Sequence, residues 1–260
     1  MTDSSPLLEC EGVSKAFGAV QALYRVDFEV NAGEVMALVG DNGAGKSTLV
    51  KCVVGIYPFE GKVRFQGEPV AIHGPRDAAR LGIEVVYQDL ALADNLDVTA
   101  NMFLGRERTR SGFVLDEPSM EHAAEETLEG LSVTSLGSVR QTVAGLSGGQ
   151  RQAVAVAKSV MWNSKLLILD EPTAALGVAQ TRQVLDLVRR LADRDLGVVI
   201  VSHNLHDVFE VADRITVLRL GQRVAVLNRA ETTQQEVVQA ITAGTIDHVP
   251  GMADAGVAEP

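Results

Sequence analysis

The chain has 260 residues, 46% of them hydrophobic, enough to bury a full α/β core as one domain or one domain plus an insertion. Its formal net charge of −11 argues against nucleic acid as a principal partner, because neutralising phosphates requires a basic face. No stretch approaches the roughly 18 consecutive apolar residues of a membrane-spanning helix, so work at a membrane would require another subunit to hold the chain there.

In chain order, Met1 to Gly12 carries acids and no Lys or Arg, unlike a signal or transit peptide. Leu7 to Val13, Val20 to Val30 and Lys62 to Phe65 alternate in character and predict a small antiparallel sheet. Val35 to Val39 is an uninterrupted apolar run, read as a buried strand. Gly74-Pro75 opens a short helix to Leu81, with proline in the first turn. Val85-Val86 gives a further strand. From Asp89 to Ala144 no buried strand is evident. That stretch predicts helices around Val98 to Leu104 and Ser119 to Leu131, separated by a polar, Arg-rich loop. A long helical stretch reaches Met161, and Lys165 to Leu169 reads as a central parallel strand covered on both faces. In 178–194, Val184, Leu185, Leu187, Val188 and Leu191 share one helical face and form a core-packing stripe. Gly197 to Val201 is another buried strand, and Gly221-Gln222 joins Ile215–Leu220 to Arg223–Leu227 as a hairpin. A last helix covers Thr233 to Ala243, and residues 244–260 read as a flexible tail. Cys10 and Cys52, the only cysteines, show no metal-ligand spacing and read as plain thiols in a reducing compartment.

Five segments carry chemistry. Gly40-Asp41-Asn42-Gly43-Ala44-Gly45-Lys46-Ser47-Thr48 fits G-x-x-x-x-G-K-[ST] between a strand and a helix. Its glycines let backbone N–H groups converge on phosphate oxygens. Lys46 can reach the β- and γ-phosphates, Ser47 can ligate Mg²⁺, and the helix adds its positive end, so the motif predicts a bound nucleoside triphosphate. Leu146-Ser147-Gly148-Gly149-Gln150 at a helix start offers a second anion site by the same logic. One nucleotide needs one cradle, so the second suggests service to a nucleotide held by another copy. Asp170-Glu171 ends the strand after Leu169. Adjacent strand residues point to opposite faces, which assigns Mg²⁺ to Asp170 and polarisation of the attacking water to Glu171. His203 and Gln88 follow two other strands, at the ends where ligands sit in α/β sheets. His203 can reach the γ-phosphate and the water, and Gln88 the Mg²⁺ or the water. Alone, neither residue would carry a role.

Taken together and in this order, the phosphate loop, Gln88, the Leu-Ser-Gly-Gly-Gln signature, Asp170-Glu171 and His203 resemble the ATPase subunit of an ABC transporter. The resemblance spans residues 7–243. It implies an α/β fold with a P-loop core and mixed central sheet in 7–88 and 151–231, an antiparallel β subdomain, and a helical and signature insertion in 89–150. It implies ATP and Mg²⁺ as cofactors, and Phe17 as the aromatic that stacks on adenine, with a core phenylalanine near a strand end as the lesser alternative. Residues 94–107, Pro172 to Val178 and Ser202 to Asp213 resemble the ribose, xylose and fructose group of bacterial carbohydrate importers. Such a protein would sit peripherally on the cytoplasmic face of the inner membrane. It would pair with a copy of itself or a second ATPase domain, drive transmembrane permease subunits, and serve an extracytoplasmic sugar-binding protein indirectly. In its dimer, Ser147, Gly148, Gly149 and Gln150 of one half cover the ATP of the other. Gly177 departs from the wider superfamily, where an aspartate closes this loop across the dimer.

Two other classes stay open on sequence alone. One is a soluble ABC ATPase acting on nucleic acid or ribosomes, although the second cassette, coiled-coil insertion and basic linker of such chains are missing. The other is a regulatory nucleotide-binding module, against which the intact Glu171 and His203 argue. Within the transporter class, the carried substrate is also open.

Overall fold

The structure is a computed structural model that describes residues 5–133 and 135–244, so the tail read beyond Gly244 lies outside the described residues. It opens with β1 (Leu8–Phe17) and β2 (Val20–Val30), an antiparallel pair whose inward residues Leu8, Cys10, Val13, Leu23, Val26 and Phe28 are buried. β3 (Val35–Val39) is buried throughout and leads through a glycine-rich loop into helix α1 (Lys46–Val53). β4 (Glu60–Phe65) and β5 (Glu68–Val70) complete an antiparallel sheet of order β2-β1-β4-β5. Helix α2 (Pro75–Leu81) has Pro75 at its first position, stops at left-handed Gly82 and feeds β6 (Ile83–Val86).

The described residues of 89–147 contribute no strand to the central sheet. They hold helix α3 (Val98–Phe103), the two-residue strands β7 (Thr109–Arg110) and β8 (Val114–Leu115), and helix α4 (Glu117–Gly130). The loop expected between the helices therefore contains a short hairpin. Helix α4 begins two residues before Ser119, because Pro118 fits a first turn.

Then come helix α5 (Gly148–Val160), β9 (Leu166–Asp170), helix α6 (Val178–Ala192), β10 (Gly197–Val201) and helix α7 (Leu205–Val211). The hairpin β11 (Arg214–Arg219) and β12 (Gln222–Asn228) precedes helix α8 (Gln234–Ala243), capped by Thr233 and Glu236.

The central sheet has the order β12-β11-β3-β10-β9-β6, parallel except for β12. Its middle strands divide their side chains between two cores, as period-two alternation requires. Val35, Ala37, Leu167, Leu169, Val198 and Ile200 join the core beneath α5 and α6. Met36, Leu38, Leu166, Ile168, Val199 and Val201 join the core against α1 and the antiparallel sheet. The stripe Val184, Leu185, Leu187, Val188 and Leu191 is buried, as its spacing predicts. Among the described residues, no helix is long and apolar enough to cross a membrane.

Candidate active site

Parallel register brings the functional segments to one edge of the sheet. Val86 pairs with Leu169, Leu169 with Ile200, and Ile200 with Ala37. Asp170 ends one of these strands, and Gln88, Glu171, His203 and the Gly40–Gly45 loop follow them, so all lie at the carboxyl ends.

Two glycines shape the loop. Gly40 has φ +148°, and a Cβ there would lie 2.2 Å from the Leu218 carbonyl oxygen. Gly45 has φ +106°, with the Ala22 carbonyl oxygen 2.9 Å from any added Cβ. Only glycine meets both demands. Helix α1 has no side-chain N-cap, so its first N–H groups are left for an exogenous acceptor. Ser47 is exposed beside them, and Thr48 is half-buried. Lys46 is only 8% exposed, and its Nζ donates to the carbonyl oxygens of Gly40 at 2.7 Å and Asp41 at 3.1 Å. Burial pushes its ammonium below the ordinary lysine range, while Glu171, Asp170 and Asp41 pull it back up. A cation so placed, with no carboxylate in direct contact, suits a polyphosphate.

Asp170 closes β9. Burial, and next the charge of Glu171, push its carboxyl above the usual carboxylate range, against the pull of Lys46 and Lys51. Glu171 is no longer in the strand: its φ is +51°, and its N–H donates to the Val201 carbonyl oxygen at 2.9 Å. A left-handed turn, rather than strand alternation, therefore separates the two carboxylates. The turn places Glu171 Oε1 2.8 Å from His203 Nδ1. An ionised carboxylate only accepts, so Nδ1 carries the proton in this pair. Gln88 is exposed two residues beyond β6.

Asp170, Ser47 and Gln88 offer only hard oxygen donors, and the described residues contain no cluster of three His, Cys, Asp or Glu. That set fits Mg²⁺, which takes one or two carboxylates and completes its shell with substrate phosphates and water.

Phe17 ends β1 and is 43% exposed, edge-on to Tyr57 at 5.0 Å between ring centroids. Lys15 Nζ lies 5.1 Å from the Phe17 centroid, and Lys51 Nζ lies 5.6 Å from that of Tyr57. The core reading of Phe17 is thus overturned in favour of an open aromatic and cationic platform, with Tyr57 a member that sequence reasoning missed.

The signature lies apart from this cluster: no hydrogen bond or ion pair among the described residues joins 146–150 to the P-loop. Ser147 Oγ accepts from the Gln150 N–H, and Gln150 Oε1 accepts from the Ser147 N–H at 2.9 Å. The glutamine thus has a structural reason, a capping box, whether or not an anion binds there. An added Cβ at Gly148 would meet Leu176 Cδ2 at 2.9 Å, and one at Gly149 would meet Gln180 Cβ at 3.1 Å. The signature glycines therefore pack directly against the start of α6, where Gly177 stands at the N-cap without a side chain.

Two further links have no motif to announce them. Thr173 Oγ1 donates to buried Asp207 Oδ2 at 2.6 Å, tying the segment after Glu171 to the helix after His203. Arg151 Nη1 meets Asp94 Oδ1 at 2.9 Å, and Val143 N–H donates to the Leu96 carbonyl oxygen at 3.0 Å. These join the signature to the segment that follows Gln88.

Known proteins share this architecture. The sequence profile of the ABC transporter family matches residues 23–174. A fructose import ATP-binding protein of Rhizobium meliloti is 45% identical over 244 residues, 91% of this chain and 94% of its own. A xylose/arabinose import ATP-binding protein of Sulfolobus acidocaldarius is 45% identical over 246 residues, 94% of this chain and 97% of its own. The crystal structure of an ATP-binding cassette of an ABC transporter, in its ADP conformation, superposes with a TM-score of 0.78 at 26% identity. It covers 92% of this chain and 96% of that one.

Proposed function

The chain belongs to the ABC transporter family, and on that premise we propose that it is the ATP-hydrolysing subunit of a monosaccharide importer, working on the cytoplasmic face of a bacterial plasma membrane. The observation that carries the reading is the convergence of buried Lys46, Asp170 and the Glu171–His203 pair at one sheet edge, in a chain close to sugar-import relatives.

The uncapped start of α1 and the Gly40–Gly45 loop bind the phosphates of ATP, and Lys46 exchanges its two carbonyl partners for β- and γ-oxygens. Phe17 takes the adenine. Ser47, Asp170 and Gln88 would hold Mg²⁺, which when bound neutralises charge on the phosphate oxygens. Glu171 takes the proton of the attacking water. His203 orients that carboxylate through Nδ1, which leaves Nε2 for the water or the γ-phosphate.

Ser147, Gly148, Gly149 and Gln150 act in trans, over the triphosphate of a second copy or of a second ATPase domain. ATP then belongs to the interface: its binding closes the pair, and its hydrolysis removes the bridge. A groove of about 210 Å³, lined by Tyr87, Leu90, Met102, Leu104, Lys158 and Trp162, receives a cytoplasmic loop of the permease. Its lining runs along Glu84–Tyr87 and Asp89–Ala91 on either side of Gln88, and the Arg151–Asp94 link carries its movement to the signature. An extracytoplasmic binding protein delivers the sugar, and nucleic acid has no part.

The test is reconstitution in proteoliposomes with a monosaccharide permease and its binding protein from the same organism. ATPase activity should rise several-fold with the cognate sugar. A rate indifferent to every sugar, together with salt-sensitive binding to DNA or ribosomes, would overturn the assignment.

A further inference from the structure

A cavity beside the signature holds a cation that the fold does not use. Its volume is about 150 Å³, and Arg190, Gln183, Asp186, Ser132, Ser135 and Gly149 line it. These residues come from α6, the start of α5 and the segment after α4.

Arg190 sits in the last turn of α6, where a positive charge suits the carbonyl end of a helix. That dipole accounts for the charge but not for the geometry. Arg190 Nε is buried and has no hydrogen-bond partner. Among the described residues the side chain forms no ion pair, whereas adjacent Arg189 is taken by Asp193 and Asp213. Asp186 stands one turn earlier, at a spacing where acids commonly pair, yet it does not bind Arg190. Buried N–H groups are almost always satisfied, so this one calls for an acceptor from outside the chain.

The rest of the lining narrows what that acceptor is. Among the described residues, the hydroxyls of Ser132 and Ser135 and the amide of Gln183 are also without partners. Four donor groups around so small a space suit an oxyanion. Asp186, when ionised, only accepts, so the ligand must bring a hydroxyl as well as acceptor oxygens. Inorganic phosphate at neutral pH does both, as does the phosphate monoester of a small polyol, whereas a simple carboxylate does not. The space equals about five waters at roughly 30 Å³ each, enough for a phosphate and too little for a nucleotide.

We propose that this cavity binds a small phosphate through Arg190, and that the occupant steadies the signature. Gly149 forms part of the wall. The Ser135 carbonyl oxygen accepts from Gln150 Nε2 at 2.5 Å, and Gln150 Oε1 in turn closes the capping box on the Ser147 N–H. A ligand held between Ser135 and Arg190 therefore ties the segment before the signature to α6. The inference does not rest on the two-half-site reading, since every group in it belongs to one chain.

The test saturates the full chain with MgADP, which fills the P-loop, and adds labelled inorganic phosphate or glycerol phosphate in equilibrium dialysis. One ligand per chain should bind saturably. Arg190→Gln should weaken it about tenfold or more, the scale of a lost charge-assisted contact. Arg190→Lys keeps the charge and loses the planar fork, so its affinity should fall between the two. Ser132→Ala, at an exposed hydroxyl, should act in the same direction and serves if Arg190→Gln folds poorly. Whichever ligand binds more tightly supports the site and identifies its source as free ion or monoester. Backbone amide exchange at 147–150 should slow with ligand in the native chain and not in Arg190→Gln. Absence of saturable binding overturns the inference. So does equal binding by Arg190→Gln, which would place the phosphate beside ADP at the P-loop. Binding that leaves exchange at 147–150 unchanged overturns the link to the signature.

Discussion

Glu171 and His203, 32 residues apart in sequence, meet at 2.8 Å, Oε1 to Nδ1, beyond the ends of two strands that are neighbours in the sheet. The glutamate reaches the histidine because its backbone leaves the strand in a left-handed turn, fastened by its own N–H to Val201. A carboxylate held in this way is positioned before substrate arrives, as a general base must be.

Glu171→Gln keeps an oxygen to accept from Nδ1–H and loses the basicity. Turnover should fall by roughly 10²–10⁴-fold while ATP binding persists. Phosphate release and equilibrium binding of labelled ATP, measured on the same preparation, check the two halves of this expectation. Normal hydrolysis in the variant would remove Glu171 as the base.

Lys46→Ala takes away the buried cation and leaves the carbonyls of Gly40 and Asp41 facing the phosphates. Affinity should drop by about 10- to 100-fold, the scale of a lost charge-assisted contact. A titration with a fluorescent ATP analogue that showed wild-type affinity would contradict this.

Asp170 predicts a pH signature in the nucleotide-free protein. Its folded carboxyl binds its proton more tightly than the unfolded one, because burial and Glu171 disfavour the charge. Its contribution to stability is therefore fullest below the ordinary aspartate value and is lost as pH rises through the raised folded value. Asp170→Asn removes that loss, so its melting temperature should exceed wild type by about 2 °C or more near neutral pH, an advantage that shrinks towards pH 4. Calorimetry across that range would show a constant difference if the cause lay elsewhere. The same variant should lose its response to Mg²⁺.

Gly40→Ala forces a Cβ to within 2.2 Å of the Leu218 carbonyl oxygen at a φ of +148°. Backbone cannot yield cheaply on either side, and a cost of about 2–3 kcal/mol is expected, with the phosphate loop displaced. Urea denaturation should give a lower midpoint with an unchanged slope. An unchanged midpoint would show that β11 moves aside.

What the sequence disclosed follows from how local each constraint is. The P-loop is legible because conformation, charge and hydroxyl are dictated residue by residue along nine positions. β3, β9 and β10 are legible because strands buried on both faces must be apolar throughout. The hairpin Thr109–Leu115 looks like a loop in the sequence, since strands of two residues have no period to detect. The left-handed turn at Glu171 is imposed by neighbouring strands, and nothing in glutamate announces it. Tyr57 beside Phe17 and Asp207 beneath Thr173 are tertiary pairings, invisible without the fold. Gln150 is the opposite case: Ser147 and Gln150 stand at capping-box spacing, a pattern as legible in the sequence as the second anion site.

If each ATP is enclosed by two half-sites from separate ATPase units, pairing depends on nucleotide. Sedimentation velocity of the Glu171→Gln protein, with and without saturating MgATP, tests it most directly. A monomer should convert to a dimer holding two ATP molecules, and revert when nucleotide is removed. A protein that sediments as a monomer at every nucleotide concentration, while binding one ATP per chain, would contradict it.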